Sequence, residues 1–285
     1  MLPLKTDLDV NILPIKNKNV ATVCTPDELV FFFRHCFAPN EKKFKMIFLV
    51  QLGCDCRVSE ACAINISDFH KGTEFRALDM LINKKVKTYT KEGKPRRVGQ
   101  NVMVTKKIPE SIAAHLRAWI HDNKEKIKYY DGFIFPPNHM EKQTPYCNPL
   151  SVTHWMASKR KQLIRHFPDK GFDRIIGWKI YEEEHRLIKT QKVPRYLWSS
   201  HMMKRFAGTY TYLLTHDAVF VQQLLCHERL ETTQKFYIDA ASVLGNNKEE
   251  KVKNTLFDKD FYDSITNEED NIAAVWEEKP LKPIK

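Results

Sequence analysis

The sequence predicts a mainly α-helical protein with a small antiparallel β-sheet, an α+β fold. Two observations lead to this prediction. Apolar residues recur at helical spacing, behind recognisable caps, through most of residues 24–227. Residues 75–109 are instead rich in β-branched and apolar residues on both sides of a Gly/Pro turn, "KEGKP", which is typical of a hairpin or small meander.

The N-terminal half begins with an arm, residues 1–23, that has no periodicity. Thr25 is the expected N-cap of the first helix, since Pro26 suits the first helical position and a glutamate three residues after the threonine completes a capping box. A second helix over residues 42–53 and a third one directly after Arg57 follow.

The C-terminal half is predicted to be helical, with one interruption. Helices are expected over residues 109–123 and 150–167, and again over 199–214 and 217–227, where apolar residues share one face. Residues 168–196 are polar and have no clear period, so they are treated as an insertion.

The chain therefore divides into an arm (1–23), one folded domain (24–245), and a linker with an acidic tail (246–285).

The whole chain carries a net charge of +11, and its last 28 residues hold eight acidic and four basic side chains, so the first 257 carry +15. Such an excess suits a polyanion such as nucleic acid. No apolar run is long enough to span a membrane and no secretory signal is visible, so the protein is expected to stay where it is made.

Cysteine spacing argues against a metal site. The seven cysteines are scattered apart from Cys54, Cys56 and Cys62, and no second pair follows at a zinc-ligand spacing. Reduced and mostly buried thiols are expected, with no metal and no cofactor.

Six polar residues spread over the domain form a candidate catalytic set. It contains two arginines, a lysine, two histidines and a tyrosine: Arg57, Lys91, His201, Arg205, His227 and Tyr237. Two guanidiniums can hold a phosphodiester and offset transition-state charge, a lysine can protonate a leaving oxygen, and a phenol can attack phosphorus. These residue types therefore fit metal-free phosphoryl transfer to a tyrosine.

Two motifs carry a family resemblance. "RVSEACAINISDF" resembles the first-arginine box of the tyrosine recombinases, the phage integrase family, and "LLCHERLETTQKFY" resembles the closing box with its histidine, threonines and nucleophilic tyrosine. The resemblance covers roughly residues 24–242 and implies a tyrosine-recombinase-like catalytic domain. That family has an N-terminal DNA-clamping domain, which is not expected in the arm.

The resemblance implies a role for each residue of the set. Arg57 and Arg205 would hold the scissile phosphate, Lys91 would be the general acid, and Tyr237 the nucleophile. His201 would be the histidine of the family's second box, which usually has the pattern His-x-x-Arg. His227 would hydrogen-bond a phosphate oxygen. Among neighbouring lysines, Lys87 or Lys94 would serve equally well in place of Lys91.

Three departures from the family pattern leave alternatives open. The usual His-x-x-Arg spacing would put Lys204, not Arg205, in the second box. Cys226 stands where a glycine normally precedes the histidine. Phe236 occupies the usual tyrosine position, so either Tyr237 is the nucleophile after a one-residue shift or the nucleophile is missing.

The predicted function is site-specific DNA recombination through a 3′-phosphotyrosine intermediate, as in an integrase of a mobile element or virus. The rivals are a non-catalytic DNA-binding relative and a type IB topoisomerase. Double-stranded DNA is the expected partner, with a homo-oligomer (dimer or tetramer) forming on it and no membrane contact. The protein is expected inside the cell with the DNA, in the cytoplasm or nucleoid, or in the host cell if viral.

Overall fold

A computed structural model describes residues 12–14, 23–89, 95–137, 145–181, 191–234 and 259–266 of the chain. Within these residues, the helices are α1 (Pro26–His35), α2 (Lys42–Cys54), α3 (Val58–Cys62), α4 (Glu110–Asp122), α5 (Lys124–Tyr129), α6 (Pro149–His166), α7 (Met202–Thr215), α8 (Ala218–Leu224), α9 (Leu230–Thr233) and α10 (Lys259–Thr266). The strands are β1 (Ile12–Pro14), β2 (Ala77–Tyr89), β3 (Pro95–Lys107), β4 (Ile175–Tyr181) and β5 (Gln191–Tyr196). The predicted α+β class is confirmed.

Local capping explains where the first helices begin and end. Thr25 caps α1 with its side chain, and the Glu28 carboxylate returns to the Thr25 backbone N–H at 2.8 Å, so the capping box is present. Helix α2 continues one residue past the predicted end at Gly53, and Asp55 then terminates it in the left-handed conformation, with φ of 53°.

The predicted hairpin is formed by β2 and β3. They pair antiparallel from Ala77↔Lys107 to Tyr89↔Pro95. On β2, Leu78, Met80 and Ile82 are buried, which is the alternation expected of a sheet with one face on the core.

A second antiparallel sheet was not predicted. Part of the insertion forms β4 and β5, and β1 from the N-terminal arm adds to β4, giving the order β1-β4-β5. Both β4 and β5 contain Lys, Arg, Gly or Pro among their apolar residues, which hides the period-2 signal on which strand prediction depends.

The core is aromatic where the helices and the second sheet meet. Trp198, just after β5, is fully buried against Phe32 of α1 and against Phe172, with ring centroids 5.1 and 4.8 Å apart. In α2, Gln51 is also fully buried and donates from Nε2 to the Ser200 carbonyl at 3.1 Å. This bond ties α2 to the residue directly before His201.

Helix α10 packs on its own chain, against α1 and α4. Phe261 is stacked on Phe206 of α7 at 5.9 Å, Ile265 is fully buried, and Arg34 of α1 donates to the Ser264 carbonyl at 2.7 Å. Residues 259–266 of the acidic tail therefore dock on their own chain. No helix in the described part of the chain is both long enough and apolar enough to cross a membrane.

Candidate functional site

Arg57 is held by a buried carboxylate at the start of α3. Its backbone N–H donates to Glu60 Oε2 at 2.6 Å, and its guanidinium Nη1 donates to Glu60 Oε1 at 2.7 Å. The Glu60 side chain is only 6% exposed, whereas that of Arg57 is 36% exposed. One face of the guanidinium is therefore fixed by an internal charge-assisted bond, and Arg57 lines an open cleft.

His227 reaches the same cleft from a tight turn that ends α8. The His227 N–H donates to the Gln222 carbonyl at 2.9 Å and the Cys226 N–H to that of Gln223 at 3.0 Å, which is the Schellman pattern. Cys226 takes the left-handed position of this motif, with φ of 54°. A glycine is usual there because it has no Cβ, so the departure at Cys226 puts backbone strain beside His227.

The ring of His227 is oriented by α9. Its Nδ1 lies 3.0 Å from Oγ1 of Thr233, a fully buried threonine. Loss of hydration, followed by the charges of Lys204 and Arg57, lowers the pKa of His227 to about 4, so the ring is neutral at pH 7.

His201 precedes α7 in the same positive surroundings. Loss of hydration, then the charges of Arg205 and Arg57, lower its pKa to about 4. The side chain of His201 lies at the surface, so the neighbouring cations contribute more to this lowering of its pKa than loss of hydration does. His201 Nδ1 also lies 3.4 Å from Oγ of Ser200.

Both cations of the second box are described. Lys204 is 4% exposed and its ammonium donates to the Leu225 carbonyl at 2.8 Å, inside the turn before His227. Burial, then the charge of Arg57, lowers the pKa of Lys204 to about 8. Arg205 is half-buried, and its charge lowers the pKa of His201. The charge of Lys204 therefore acts on both histidines, whereas Arg205 acts on His201.

The cleft has a volume of about 1050 Å³. It lies between α3, the β2–β3 sheet and the turn after α8, and its charged and polar lining includes Arg57, Glu60, Asn65, Asp68, Asp79, His227, Glu228, Arg229 and Thr232. Arg57 and His227 are thus brought together, with His201 and Arg205 beside them rather than in the lining. Lys91, Phe236 and Tyr237 lie outside the described residues, as do Lys94 and the side chain of Lys87.

Sequence reasoning missed two contributors to this site. Lys106 of β3 is 6% exposed and its ammonium donates to the Leu224 carbonyl. The sequence does contain a signal for Lys106, because a lysine at an inward position of a strand breaks the expected alternation of apolar and polar residues. Thr233 belongs to the threonine pair of the closing box, and its contact with His227 depends on the fold of the turn.

The cysteines take no visible part in the site beyond Cys226. All seven are buried, and none of them is in a disulfide bond. In the part of the chain that is described, no three His, Cys, Asp or Glu side chains are grouped as metal ligands would be.

Comparison with known proteins identifies the family. The model of the phage integrase family matches residues 22–242, which is most of the chain. No curated protein matches significantly.

Several solved structures have a similar fold at low identity. XerH site-specific recombinase bound to difH substrate has 16% identity and a TM-score of 0.44, covering 78% of this chain and 52% of that one. The Tn1549 transposon integrase with circular intermediate DNA has 13% identity and a TM-score of 0.48, covering 85% and 67%. XerA recombinase has 16% identity and a TM-score of 0.47, covering 79% and 62%. The chain thus spans about half the length of XerH. By the family match and its two motif boxes, the chain belongs to the phage integrase family, the tyrosine recombinases.

Proposed function

We propose that this protein is a site-specific DNA recombinase that cleaves and rejoins DNA through a 3′-phosphotyrosine, in a mobile element or virus. The observation that carries the proposal is the convergence of Arg57 and His227 on one cleft, with Lys204 and Arg205 close by. The cations Arg57, Lys204 and Arg205 beside two neutral histidines suit a phosphodiester, whose transition state gains negative charge on its non-bridging oxygens.

The reaction exchanges one phosphate ester for another. The phenolic oxygen of Tyr237 releases its proton to water and bonds to phosphorus, the bond from phosphorus to the 5′-oxygen breaks, and Lys91 supplies the proton that the departing oxygen needs. Attack by a 5′-hydroxyl on the phosphotyrosine then restores the DNA backbone and frees the phenol. The step consumes no nucleotide, because a phosphodiester is replaced by a phosphotyrosine ester of the same type.

Each described residue has a role that its surroundings support. Arg57 binds a non-bridging oxygen with the N–H groups that Glu60 does not use. His227, in the lining of the cleft, hydrogen-bonds a phosphate oxygen, and its contact with Thr233 orients the ring. Arg205, with His201, supplies the second cation.

Duplex DNA is the proposed partner, bound by the strongly positive first 257 residues. Recombination requires two duplexes, so a dimer or tetramer on DNA is part of the proposal. The protein would act wherever that DNA resides inside the cell. Affinity should fall steeply with rising salt, because each phosphate contact releases counterions.

A nicked suicide substrate tests the nucleophile. The wild type should form a covalent protein–DNA adduct on a denaturing gel, and Tyr237→Phe should form none. Arg57→Ala should retain most DNA affinity but lose about a hundredfold or more in cleavage rate, because the transition-state charge is no longer offset.

Three results would contradict parts of the proposal. An adduct in Tyr237→Phe would mean another nucleophile. No adduct in the wild type, together with one in Phe236→Tyr, would favour the non-catalytic DNA-binding relative. Relaxation of supercoiled DNA without strand exchange between duplexes would favour the topoisomerase.

A further inference from the structure

Lys106 is a buried cation on the inward face of β3. Val102 and Val104 are partly buried on that face, while Met103, Thr105 and Lys107 point outward and are exposed. The next inward position, opposite Leu78 of β2, is Lys106, where another apolar residue is expected. Burying an ammonium costs free energy unless its donors are used, so this lysine needs a specific partner.

The partner is the end of α8. The Lys106 ammonium donates to the Leu224 carbonyl, and that of Lys204, from α7, donates to the next carbonyl along the chain, Leu225. The last carbonyls of a helix lack intrahelical partners and carry the negative end of the helix dipole. Two ammoniums on consecutive carbonyls therefore stabilise this helix end from two separate elements of the fold.

The residue after these carbonyls is the strained one. Cys226 is in the left-handed conformation, which is unfavourable for a residue with a Cβ, and His227 follows directly. A turn that holds a non-glycine residue in this region needs its neighbours fixed. The lysine bonds lie on the near side of Cys226, and the Thr233 contact fixes His227 on the far side.

A partly buried carboxyl lies near the two ammoniums. Asp55, at the end of α2, is close enough for the charges of Lys106 and Lys204 to lower its pKa, against the larger effect of burial, which raises the pKa to about 7. The cluster therefore joins α2, β3 and α7 beneath the turn. None of Lys106, Lys204 and Asp55 lines the cleft itself.

We propose that Lys106 is a positioning residue for the recombinase: by holding the Leu224 carbonyl it fixes the turn that places His227 in the lining of the cleft. The expected effect of Lys106 on the rate of adduct formation rests on the proposed function, whereas its expected effect on the His227 ring does not. A lysine that only stabilises the fold would lower stability when replaced without changing the state of the His227 ring in the folded protein.

The experiment compares Lys106→Met, which keeps the length of the stem and removes the donors, with Lys106→Arg, which keeps donors. Lys107→Met is the matched control, because it removes the same charge from the next position of β3, where the side chain is exposed. Long-range ¹⁵N–¹H spectra of the full chain report the tautomer of His227. DNA affinity and the single-turnover rate of adduct formation at saturating DNA are measured on the same proteins.

For the wild type, Lys106→Arg and Lys107→Met, we expect a single Nε2–H tautomer at His227. Lys106→Met should give mixed tautomers at His227 and adduct formation slower by about ten- to a hundredfold, with DNA affinity changed less than threefold. An unchanged His227 spectrum in folded Lys106→Met overturns the proposal, and so does an equal loss of affinity and rate. If Lys106→Met does not fold, Lys106→Arg decides: a mixed His227 spectrum in that variant overturns the proposal. If the wild type forms no adduct, the proposed function fails, and the spectra alone decide the role of Lys106.

Discussion

Replacing Glu60 by glutamine tests whether a buried carboxylate holds Arg57. Glutamine has nearly the same shape, but one of the two oxygens becomes an NH₂ group, which cannot accept. Both Glu60 oxygens now accept, one from the backbone N–H and one from the guanidinium of Arg57, at 2.6 and 2.7 Å. In Glu60→Gln the new NH₂ group therefore faces an N–H donor of Arg57, and the side chain at this position is only 6% exposed in the wild type.

The expected loss follows from that geometry. A hydrogen bond that involves a charged group contributes roughly 1.5–3 kcal/mol, and water cannot easily replace a buried partner, so Glu60→Gln should lower the free energy of unfolding by about 2 kcal/mol. The negative charge of Glu60 also supports protonation of Lys204, so the pKa of Lys204 should fall further below about 8 in the variant.

Glu110→Gln is the matched control. Glu110 also bonds to an arginine, Arg117, at 2.7 Å, but its side chain is 54% exposed. Exposed ion pairs contribute little to stability, so this substitution should cost far less. Urea unfolding of both variants at pH 7 gives the comparison, and adduct formation is measured on the same samples. Equal losses in the two variants would refute the idea that Glu60 orients Arg57.

Two further predictions concern groups at the edges of the site. Burial raises the pKa of Asp55 from 3.8 to about 7, so its contribution to stability is full below pH 3.8 and is lost as the pH rises towards 7. Asparagine tolerates the left-handed backbone, so Asp55→Asn should become more stable relative to the wild type as the pH rises from 5 to 8, by at most about 4 kcal/mol. Urea unfolding of both proteins at pH 5 and at pH 8 measures this difference in the free energy of unfolding. A difference that does not change with pH would contradict the prediction. Phe261→Ala should weaken the docking of α10 by up to about 3 kcal/mol, since Phe261 is 3% exposed and stacked on Phe206. Hydrogen exchange should then become faster in residues 259–266, and unchanged protection there would count against docking on the same chain.

The helices could be predicted because their signals are local. Thr25, Pro26 and Glu28 fix the start of α1 through bonds within four residues, and the structure contains those bonds. Asp217 begins the helix predicted over residues 217–227, and its side chain accepts from the N–H groups of Val219 and Phe220 at 2.9 Å. Caps depend on neighbours in sequence and can be recognised without knowing the rest of the fold.

The second sheet and the environment of His227 could not be predicted in the same way. β1 pairs with β4 across more than 160 residues of sequence, Ile12 facing Lys179, and three residues carry no periodicity. Similarly, the Lys106 and Lys204 bonds to the turn join residues 118 and 21 positions apart. Sequence spacing identified His227 through a motif, but the partners that set its orientation come from other elements.

The second box shows why spacing alone left two residues in competition. Lys204 and Arg205 are adjacent on α7, so their side chains are turned by about 100° from each other and cannot share one environment. Lys204 points inward, to the carbonyl before Cys226, and its charge acts on His227; Arg205 remains half-buried beside His201. A lysine suits the inner position because its slender stem can be buried and its ammonium can satisfy a carbonyl, whereas a guanidinium offers five donors in a fixed plane. The two cations are therefore different parts of one site, and a family pattern that has a single arginine at this point cannot describe both.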